Sequence, residues 1–370
     1  MARFHEFMGV FGQALLVGLV SGVLFLAALI VMTMPDRRSS RNAGDPNPYT
    51  ALFTEAPADT AIDTALYDAD SPAVPILCHH YFRAKTTPFQ FVKILGALFL
   101  NLPLLDDMDV WTQTSTSFEN QLSYLKSEGY ESIDLDDLVA WQRGTKELPR
   151  NPVVITIDDA DKSVLEHAYP LLERYGFKAT LFVVTSRVGR RWEGVDCLTW
   201  DELKRLRDSG VFSIESHSHD LHRKVKTSLG RLPVSVAASL GVHDPLGYES
   251  WARFVVEDLK KSRDLIGEHI GEEARFLAWP YGFADAQLDS LAVLSGFTST
   301  CTMRIGTNRR FFLADGREVD GGVSSERRAM RPQHELRRLT VTARTSMNGF
   351  RKMLADERNE PAPRETASQR

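Results

Sequence analysis

The stretch that decides the fold is Asn151–Asp161, with the sequence NPVVITIDDAD. Four β-branched apolar residues and a threonine run together and stop at Asp158 and Asp159. Such a run predicts a strand buried on both faces, as in a parallel α/β sheet. Because side chains alternate along a strand, two adjacent carboxylates at its end cannot share one role. The pair predicts a site at the carboxyl rim of the sheet, with a solvated turn as the alternative.

Two later stretches favour a site over a turn. Ser213–Arg223, SIESHSHDLHR, places His217, His219 and His222 close together in the chain. Arg275–Gly282, RFLAWPYG, is a short apolar run that ends in Pro-Tyr-Gly.

The three motifs, in this order, resemble those of the polysaccharide deacetylase family with the NodB homology domain (carbohydrate esterase family 4). The segments that match are Thr156–Asp159, His217–His222 and Trp279–Gly282. The resemblance extends from about Val74 to about Gly306, and the motif pattern is most similar to that of the poly-N-acetylglucosamine deacetylases. Strand-like and helix-like segments alternate here, which predicts a parallel sheet or a barrel. The resemblance implies a distorted (β/α)7 barrel of the NodB-homology type.

The composition is that of a globular protein with a sizeable core. The chain has 370 residues, of which 43% are hydrophobic and 25% are charged, and its net charge is -5. This charge gives no reason to expect nucleic acid as a partner. The three cysteines lie far apart in the chain, so we expect neither a disulfide framework nor a thiolate metal cluster, although one disulfide stays open.

The N-terminal part of the chain predicts a membrane anchor. Gly9–Met34 contains no charged residue over 26 positions, whereas a helix needs roughly 20 residues to cross a bilayer. We see no good cleavage pattern near Met34, so residues 1–35 predict a retained single-pass helix, with a cleaved signal peptide as the alternative. The arginines that follow favour a cytoplasmic location for the rest of the chain. The family resemblance implies an extracytoplasmic catalytic domain, and we follow the resemblance.

Three further segments follow the anchor. Residues 36–73 are rich in Asp, Ala, Pro, Ser and Thr, which predicts a flexible linker. Residues 74–340 are expected to form the deacetylase-like domain. Residues 341–370 are strongly charged and predict a disordered tail.

The resemblance assigns the central chemistry residue by residue. Hydrolysis of an amide needs an activated water and a stabilised oxyanion, and a divalent ion held by two histidines and one carboxylate can activate the water. Asp159, His217 and His222 match the metal ligands, and Asp158 matches the general base. His219 is the competing ligand. This donor set suits one Zn²⁺ ion best, with Ni²⁺ or Co²⁺ as alternatives.

The resemblance also implies residues that bind the substrate. The backbone N–H of Tyr281, which follows Pro280, matches a group that helps to hold the oxyanion. Trp200 and Trp279 are expected to shape the substrate groove, although core packing is the alternative for Trp200. The family's arginine two positions before the proline, which orients the catalytic aspartate, is absent because Ala278 stands there.

The family's late Leu-x-His motif, which supplies the general acid, is not found. His80, on the predicted first strand Val74–Phe82, matches a strand-one histidine of the poly-N-acetylglucosamine deacetylases and is the candidate acid. His79 points to the opposite face of that strand and is expected to pack. Arg275 is expected to be a surface charge rather than a substitute for the missing arginine.

The resemblance therefore implies a membrane-anchored, metal-dependent hydrolase. Its substrate would be a cell-surface or extracellular polysaccharide that contains N-acetylglucosamine, and its partners would include exopolysaccharide or cell-wall machinery. An O-acetyl esterase and a catalytically inactive glycan-binding protein on the same fold stay open as alternatives. The retained aspartate pair and the two histidines argue against the inactive protein. The sequence does not distinguish poly-N-acetylglucosamine, peptidoglycan and chitin oligomers as substrates.

Overall fold

A computed structural model describes residues 72–85, 107–192, 194–227, 230–234, 237, 248–306, 308–309 and 335–359. These residues all belong to one compact unit, Asn47–Thr86 together with Asp107–Arg370. The predicted anchor and all but the last two residues of the predicted linker lie outside the described residues. Within the described ranges, no helix combines the length and the apolar character needed to cross a membrane.

Strands and helices alternate along most of the described chain. The strands are β1 Ile76–His79, β2 Tyr81–Arg83, β3 Thr112–Thr114, β4 Glu131–Ser132, β5 Pro152–Ile157, β6 Ala179–Val183, β7 Arg191–Trp192, β8 Val195–Asp196, β9 Phe212–Ser216, β10 Lys224–Thr227, β11 Gly230–Pro233, β12 Phe276–Ala278, β13 Ser299–Cys301, β14 Glu335–Leu336 and β15 Leu339–Thr340. The α-helices are α1 Asp107–Trp111, α2 Ser115–Ser127, α3 Leu135–Gln142, α4 Tyr169–Tyr175, α5 Trp200–Asp208, α6 Tyr248–Ile270, α7 Ala286–Leu294 and α8 Met347–Asn359.

One parallel sheet organises these elements, with β5 inside it. The strand order is β14-β13-β12-β9-β6-β5-β1-β15, and β4 also pairs with β5. In this register Thr156 of β5 lies between Cys78 of β1 and Thr180 of β6. The predicted α/β fold with a parallel sheet is confirmed. The carboxyl ends of these strands meet at one edge, which is where parallel α/β folds place their sites.

The C-terminal strands join the two edges of this sheet. β14 pairs in parallel with β13, whereas β15 pairs in parallel with β1 at the other end of the strand order. Only Arg337 and Arg338 separate β14 from β15. Because two residues span only about 7 Å of extended chain, the β13 and β1 edges must lie near each other. The sheet is therefore strongly curved.

The organising strand β5 is buried on both faces, as its sequence predicts. All six of its residues are buried. Val153, Ile155 and Ile157 pack in the large apolar cluster that includes the helices. Val154 packs in a smaller cluster with residues from five other strands of the sheet, β1, β6, β12, β13 and β14. Alternate side chains thus face the helical layer and the inside of the curved sheet.

The C-terminal residues correct the prediction of a disordered tail over 341–370. Helix α8 packs on the domain, with Phe350 and Leu354 at 0% and 1% exposure. The Phe350 ring lies edge-on to Tyr124 of α2, with 6.2 Å between the ring centroids. The prediction was wrong for this helix because its two buried residues recur at a spacing of four, which forms one apolar stripe among many charges. Residues 360–370 lie outside the described part.

We predict that Phe350→Ala lowers the free energy of unfolding by about 3–5 kcal/mol, because it leaves a cavity under α8. Urea titration followed by circular dichroism measures the change. The control is Lys352→Ala, since Lys352 is exposed on the same helix, and we expect a change within about 0.5 kcal/mol. Equal effects of the two substitutions would show that α8 does not pack in the core.

Candidate active site

The strand ends bring the predicted site residues together. His80 follows β1, the two aspartates follow β5, and His217 follows β9. The His217 Nε2 atom lies 3.9 Å from an oxygen of Asp158 and 3.9 Å from an oxygen of Asp159. Asp159 has a positive φ of 70°, which is uncommon outside glycine and marks a constrained turn. The aspartate pair and the first histidine therefore lie together in one buried cluster.

A buried arginine holds Asp158 with two hydrogen bonds. Arg338 Nη1 donates to Asp158 Oδ1 at 2.7 Å, and Nη2 donates to Oδ2 at 2.9 Å. Arg338 Nε also donates to the carbonyl oxygen of Thr302 at 3.1 Å. Both side chains of the ion pair are buried. This two-pronged geometry is the strong form of an arginine–carboxylate interaction, and it fixes the orientation of the carboxylate.

The arginine also decides the charge of Asp158. Burial raises the pKa of this carboxyl group, but the nearby Arg338 guanidinium, followed by His217 and His80, outweighs burial and lowers the pKa below its usual value. Asp158 is therefore ionised at neutral pH, although its side chain is buried. An ionised carboxylate at this position can accept a proton.

Asp159, His217 and His222 form a group that can hold a metal ion. One donor atom from each residue lies within 4.8 Å of the others. The Asp159 Oδ1 atom is 3.3 Å from His222 Nε2, and it is buried without a hydrogen-bond donor from the described residues. His219 is not in this group, and its Nδ1 atom lies 2.9 Å from Thr185 Oγ1. One carboxylate and two imidazoles match the donor set of a zinc hydrolase.

Second interactions orient the first histidine and its loop. His217 Nδ1 lies 2.7 Å from the carbonyl oxygen of Ala278. A carbonyl oxygen only accepts, so Nδ1 carries the proton and Nε2 presents its lone pair to Asp159. Asp258 of α6 accepts the backbone N–H groups of His219 and Asp220, both at 2.8 Å. The loop that carries the histidines is thus tied to a helix.

Arg187 completes the polar contacts of the group. Its Nη2 donates to His222 Nδ1 at 3.0 Å, and its Nη1 lies 3.5 Å from Asp159 Oδ1. Burial, followed by Arg187 against the opposing charge of Asp159, lowers the pKa of His222 to about 3. The neutral ring accepts at Nδ1 and therefore carries its proton on Nε2. Because a neutral imidazole has one proton, an ion bound at His222 Nε2 requires Arg187 to release Nδ1.

The two histidines of the first strand lie on opposite sides of it. His80 Nε2 is 3.9 Å from Asp158 Oδ2, and its ring centroid lies 4.4 Å from that of Trp111, with the two ring planes tilted by 37°. Burial lowers the pKa of His80 in spite of the two aspartates nearby, so the ring is neutral. His79 is in the core, with its Nδ1 atom 2.9 Å from Gln113 Nε2. The predicted packing role of His79 is confirmed.

The Pro-Tyr-Gly turn lies against the second histidine. Tyr281 adopts a left-handed backbone, with φ 60° and ψ 12°, directly after Pro280. Its hydroxyl donates to the carbonyl oxygen of His222 at 3.1 Å, and the two rings are 4.4 Å apart. A Cβ at Gly282 would lie 2.3 Å from Met303, so the turn requires glycine. This turn places the Tyr281 side chain against His222 of the metal-binding group.

The chain is similar to several known proteins in sequence and in fold. Residues 145–299 match the family model described as polysaccharide deacetylase. The match covers less than half of the chain, and within it this segment is similar to polysaccharide deacetylase domains. The structure of IcaB from Ammonifex degensii has the same fold, with a TM-score of 0.55, 22% sequence identity, and coverage of 78% of this chain and 97% of that chain.

Two curated relatives have the name poly-beta-1,6-N-acetyl-D-glucosamine N-deacetylase. The one from Staphylococcus aureus is 28% identical over 173 residues, which is 46% of this chain and 54% of the relative. The one from Staphylococcus epidermidis is 23% identical over 261 residues, which is 70% of this chain and 78% of the relative. The chain thus spans about half the length of the first relative that it matches.

Arg338 supplies the arginine contact to Asp158 that the missing arginine at position 278 would otherwise make. The guanidinium comes from the link between β14 and β15 instead, and no motif in the sequence pointed to it. Arg275, by contrast, pairs with Asp136 at 2.6 Å near the surface, so its predicted role as a surface charge is confirmed. The arginine that binds Asp158 therefore comes from another part of the chain.

Two predicted groove residues do not reach the site. Trp279 is 0% exposed and donates its indole N–H to Asp289 at 2.9 Å, so the expectation that its side chain contacts substrate is wrong. Trp200 stacks on His269 at 4.4 Å between ring centroids and is not among the residues that line the pocket. The pocket lining is Tyr81, Asp159, Asp161, Arg187, Trp192, Val195, Cys197 and His222. Sequence reasoning missed Tyr81, whose hydroxyl donates to Asp159, and it missed Trp192.

We predict that Arg338→Met lowers the free energy of unfolding by about 3–5 kcal/mol, because it leaves the Asp158 carboxylate buried without a partner. The double variant Arg338→Met with Asp158→Asn should recover much of this loss, since it removes the buried charge as well. Chemical denaturation of the wild type, both single variants and the double variant completes the cycle. Additive losses would show that the two side chains do not interact.

Proposed function

We propose that this chain is a metal-dependent hydrolase that removes N-acetyl groups from an extracellular polysaccharide containing N-acetylglucosamine. The observation that carries the proposal is the ionised carboxylate of Asp158, fixed by Arg338 beside a metal-binding group. The names of the two staphylococcal relatives support poly-β-1,6-N-acetylglucosamine as the polymer.

Asp159, His217 and His222 would hold the ion. The Asp159 Oδ1 atom, which accepts no hydrogen bond from the described residues, and the His217 Nε2 atom, which faces it, support this assignment. Zn²⁺ suits two imidazoles and a carboxylate best, with Ni²⁺ or Co²⁺ as alternatives. When bound, such an ion would polarise the acetyl carbonyl group and acidify water.

Asp158 is assigned the role of general base. Arg338 occupies one lone pair on each carboxylate oxygen, which leaves a second lone pair on each oxygen. The Oδ2 atom faces both His217 and His80 at 3.9 Å, so it is directed into the site. There it can take a proton from the water that attacks the acetyl carbon.

His80 is assigned the role of general acid. The leaving nitrogen must gain a proton as the C–N bond breaks, and the products are acetate and an amine. His80 is neutral at the start, so it must first receive a proton, and Asp158 is 3.9 Å away. This path moves the proton from the attacking water to Asp158, then to His80, and then to the amine. The backbone N–H of Tyr281 would stabilise the oxyanion.

The location of the domain is part of the same proposal. The uncharged segment Gly9–Met34 would anchor the chain in the cell membrane, and residues 36–73 would link the anchor to an extracytoplasmic domain. Such a tether would place the site near exopolysaccharide or cell-wall machinery. The near meeting of the two sheet edges at Arg337–Arg338 supports a (β/α)7 barrel of the NodB type for this domain.

The test measures acetate and free amine released from β-1,6-linked N-acetylglucosamine oligomers by the full chain in detergent with added Zn²⁺. We predict that Asp158→Asn keeps about one bound metal ion but loses about 10²–10⁴-fold in turnover, because the amide cannot accept a proton. Asp136→Asn is the control, since Asp136 is an acid paired with Arg275 away from the site, and it should keep wild-type turnover.

Three outcomes would contradict this proposal. Acetate release from O-acetylated glycans without any free amine would indicate an esterase. Binding of metal and glycan without acetate release, unchanged by Asp158→Asn, would indicate a glycan-binding protein. Wild-type metal content in Asp159→Ala, His217→Ala and His222→Ala would remove the assigned metal site.

A further inference from the structure

We infer that Trp192, supported from beneath by Arg187, is a sugar-binding platform at the mouth of the site. It would receive the N-acetylglucosamine unit next to the one that loses its acetyl group. This inference rests on the proposed function, because it names a subsite for the same glycan. Neither Trp192 nor Arg187 belongs to the motifs that carry the family resemblance.

The exposure and position of Trp192 are the first observations. Its side chain is 38% exposed, and the other exposed large apolar side chains in the described residues, Leu294 at 69% and Ile305 at 66%, are aliphatic. Trp192 lies at the end of β7, which forms a short antiparallel hairpin with β8. It lines the same pocket as Asp159 and His222. An exposed indole beside a buried polar site is the usual form of a ligand contact rather than of core packing.

The support beneath the indole is the second observation. The guanidinium carbon of Arg187 lies 4.6 Å from the centre of the Trp192 ring. Arg187 is itself buried, and its Nη1 atom lies 3.5 Å from Asp159 Oδ1. A cation stacked on an indole face restricts the ring at little entropic cost, since indole has only two side-chain torsions. The platform is therefore fixed relative to the metal-binding group.

The chemistry of the platform identifies its ligand. A pyranose ring has an apolar face made of C–H groups, and these groups pack on the electron-rich face of an aromatic ring. Arg187 occupies one side of the indole, so the exposed side faces incoming ligand. A neutral N-acetylglucosamine unit can pack its apolar face on the exposed indole, whereas a compact ion has no such face.

Arg187 lies between the proposed sugar-binding platform and the metal-binding group. Arg187 contacts Trp192 on one side and His222 with Asp159 on the other. A sugar on Trp192 would therefore lie one side chain away from the residues assigned to the metal. This spacing fits a neighbouring unit of the same polymer rather than the unit being hydrolysed.

The experiment measures kcat and KM of the full chain, loaded with Zn²⁺, on a β-1,6-linked N-acetylglucosamine tetramer. We expect Trp192→Ala to raise KM about ten-fold with a smaller change in kcat, as loss of one stacking contact predicts. Trp192→Phe should recover most of the affinity, because it restores an aromatic face. Leu294→Ala is the matched control, since it removes an exposed apolar side chain outside the pocket.

The outcomes separate this inference from the proposed function. If the wild type releases no acetate from any glycan, the proposed function fails and the platform fails with it. If the wild type is active but Trp192→Ala keeps the wild-type KM, only the platform is overturned. If Trp192→Ala and Trp192→Phe are equally impaired, aromatic stacking is also overturned. Metal content and melting temperature equal to those of the wild type would show that a raised KM does not come from a damaged site.

Discussion

The interaction on which the site depends is the buried ion pair between Arg338 and Asp158. Removing both charges from water has a large desolvation free energy, and the two parallel hydrogen bonds offset much of it. The pair nevertheless gives the domain a carboxylate that stays ionised without solvent. It also joins β5 to the link between β14 and β15, so the segment that brings the sheet edges together also sets the charge of the proposed base.

A second positive group balances the other aspartate. Arg187 faces Asp159 and His222, and burial would otherwise penalise the Asp159 carboxylate. Burial raises the pKa of Asp159, but His222, Arg187 and His217 together keep it below its usual value. The same guanidinium must release His222 Nδ1 when Nε2 binds an ion. If the group binds a metal ion as proposed, the affinity would include the free energy of moving Arg187 as well as the contributions of the three ligands.

Local sequence was enough for the parts of the site that follow directly from strands. A β-branched run ending in two acids predicted β5 and its carboxylates. The family resemblance favoured His217 and His222 over His219, and the structure places donor atoms of these two histidines within 4.8 Å of one from Asp159. The rest depends on long-range contacts. Arg338 is one arginine among many in a charged region, and nothing local shows that it turns inward. Trp279 is buried although it was expected to line the groove, and Trp192, for which no prediction was made from the sequence, is exposed. Burial depends on packing across the sheet and not on residue type.

The pH dependence of kcat/KM tests the Arg338–Asp158 account most directly. The wild type is compared with Arg338→Gln and Arg338→Lys on one N-acetylglucosamine oligomer. Because Arg338 lowers the pKa of Asp158 and the ionised form is the active one, loss of the guanidinium should move the acidic limb of the profile to higher pH. Lysine should restore part of the shift. Acidic limbs that coincide in all three proteins would contradict the claim that Arg338 sets the charge of the catalytic base.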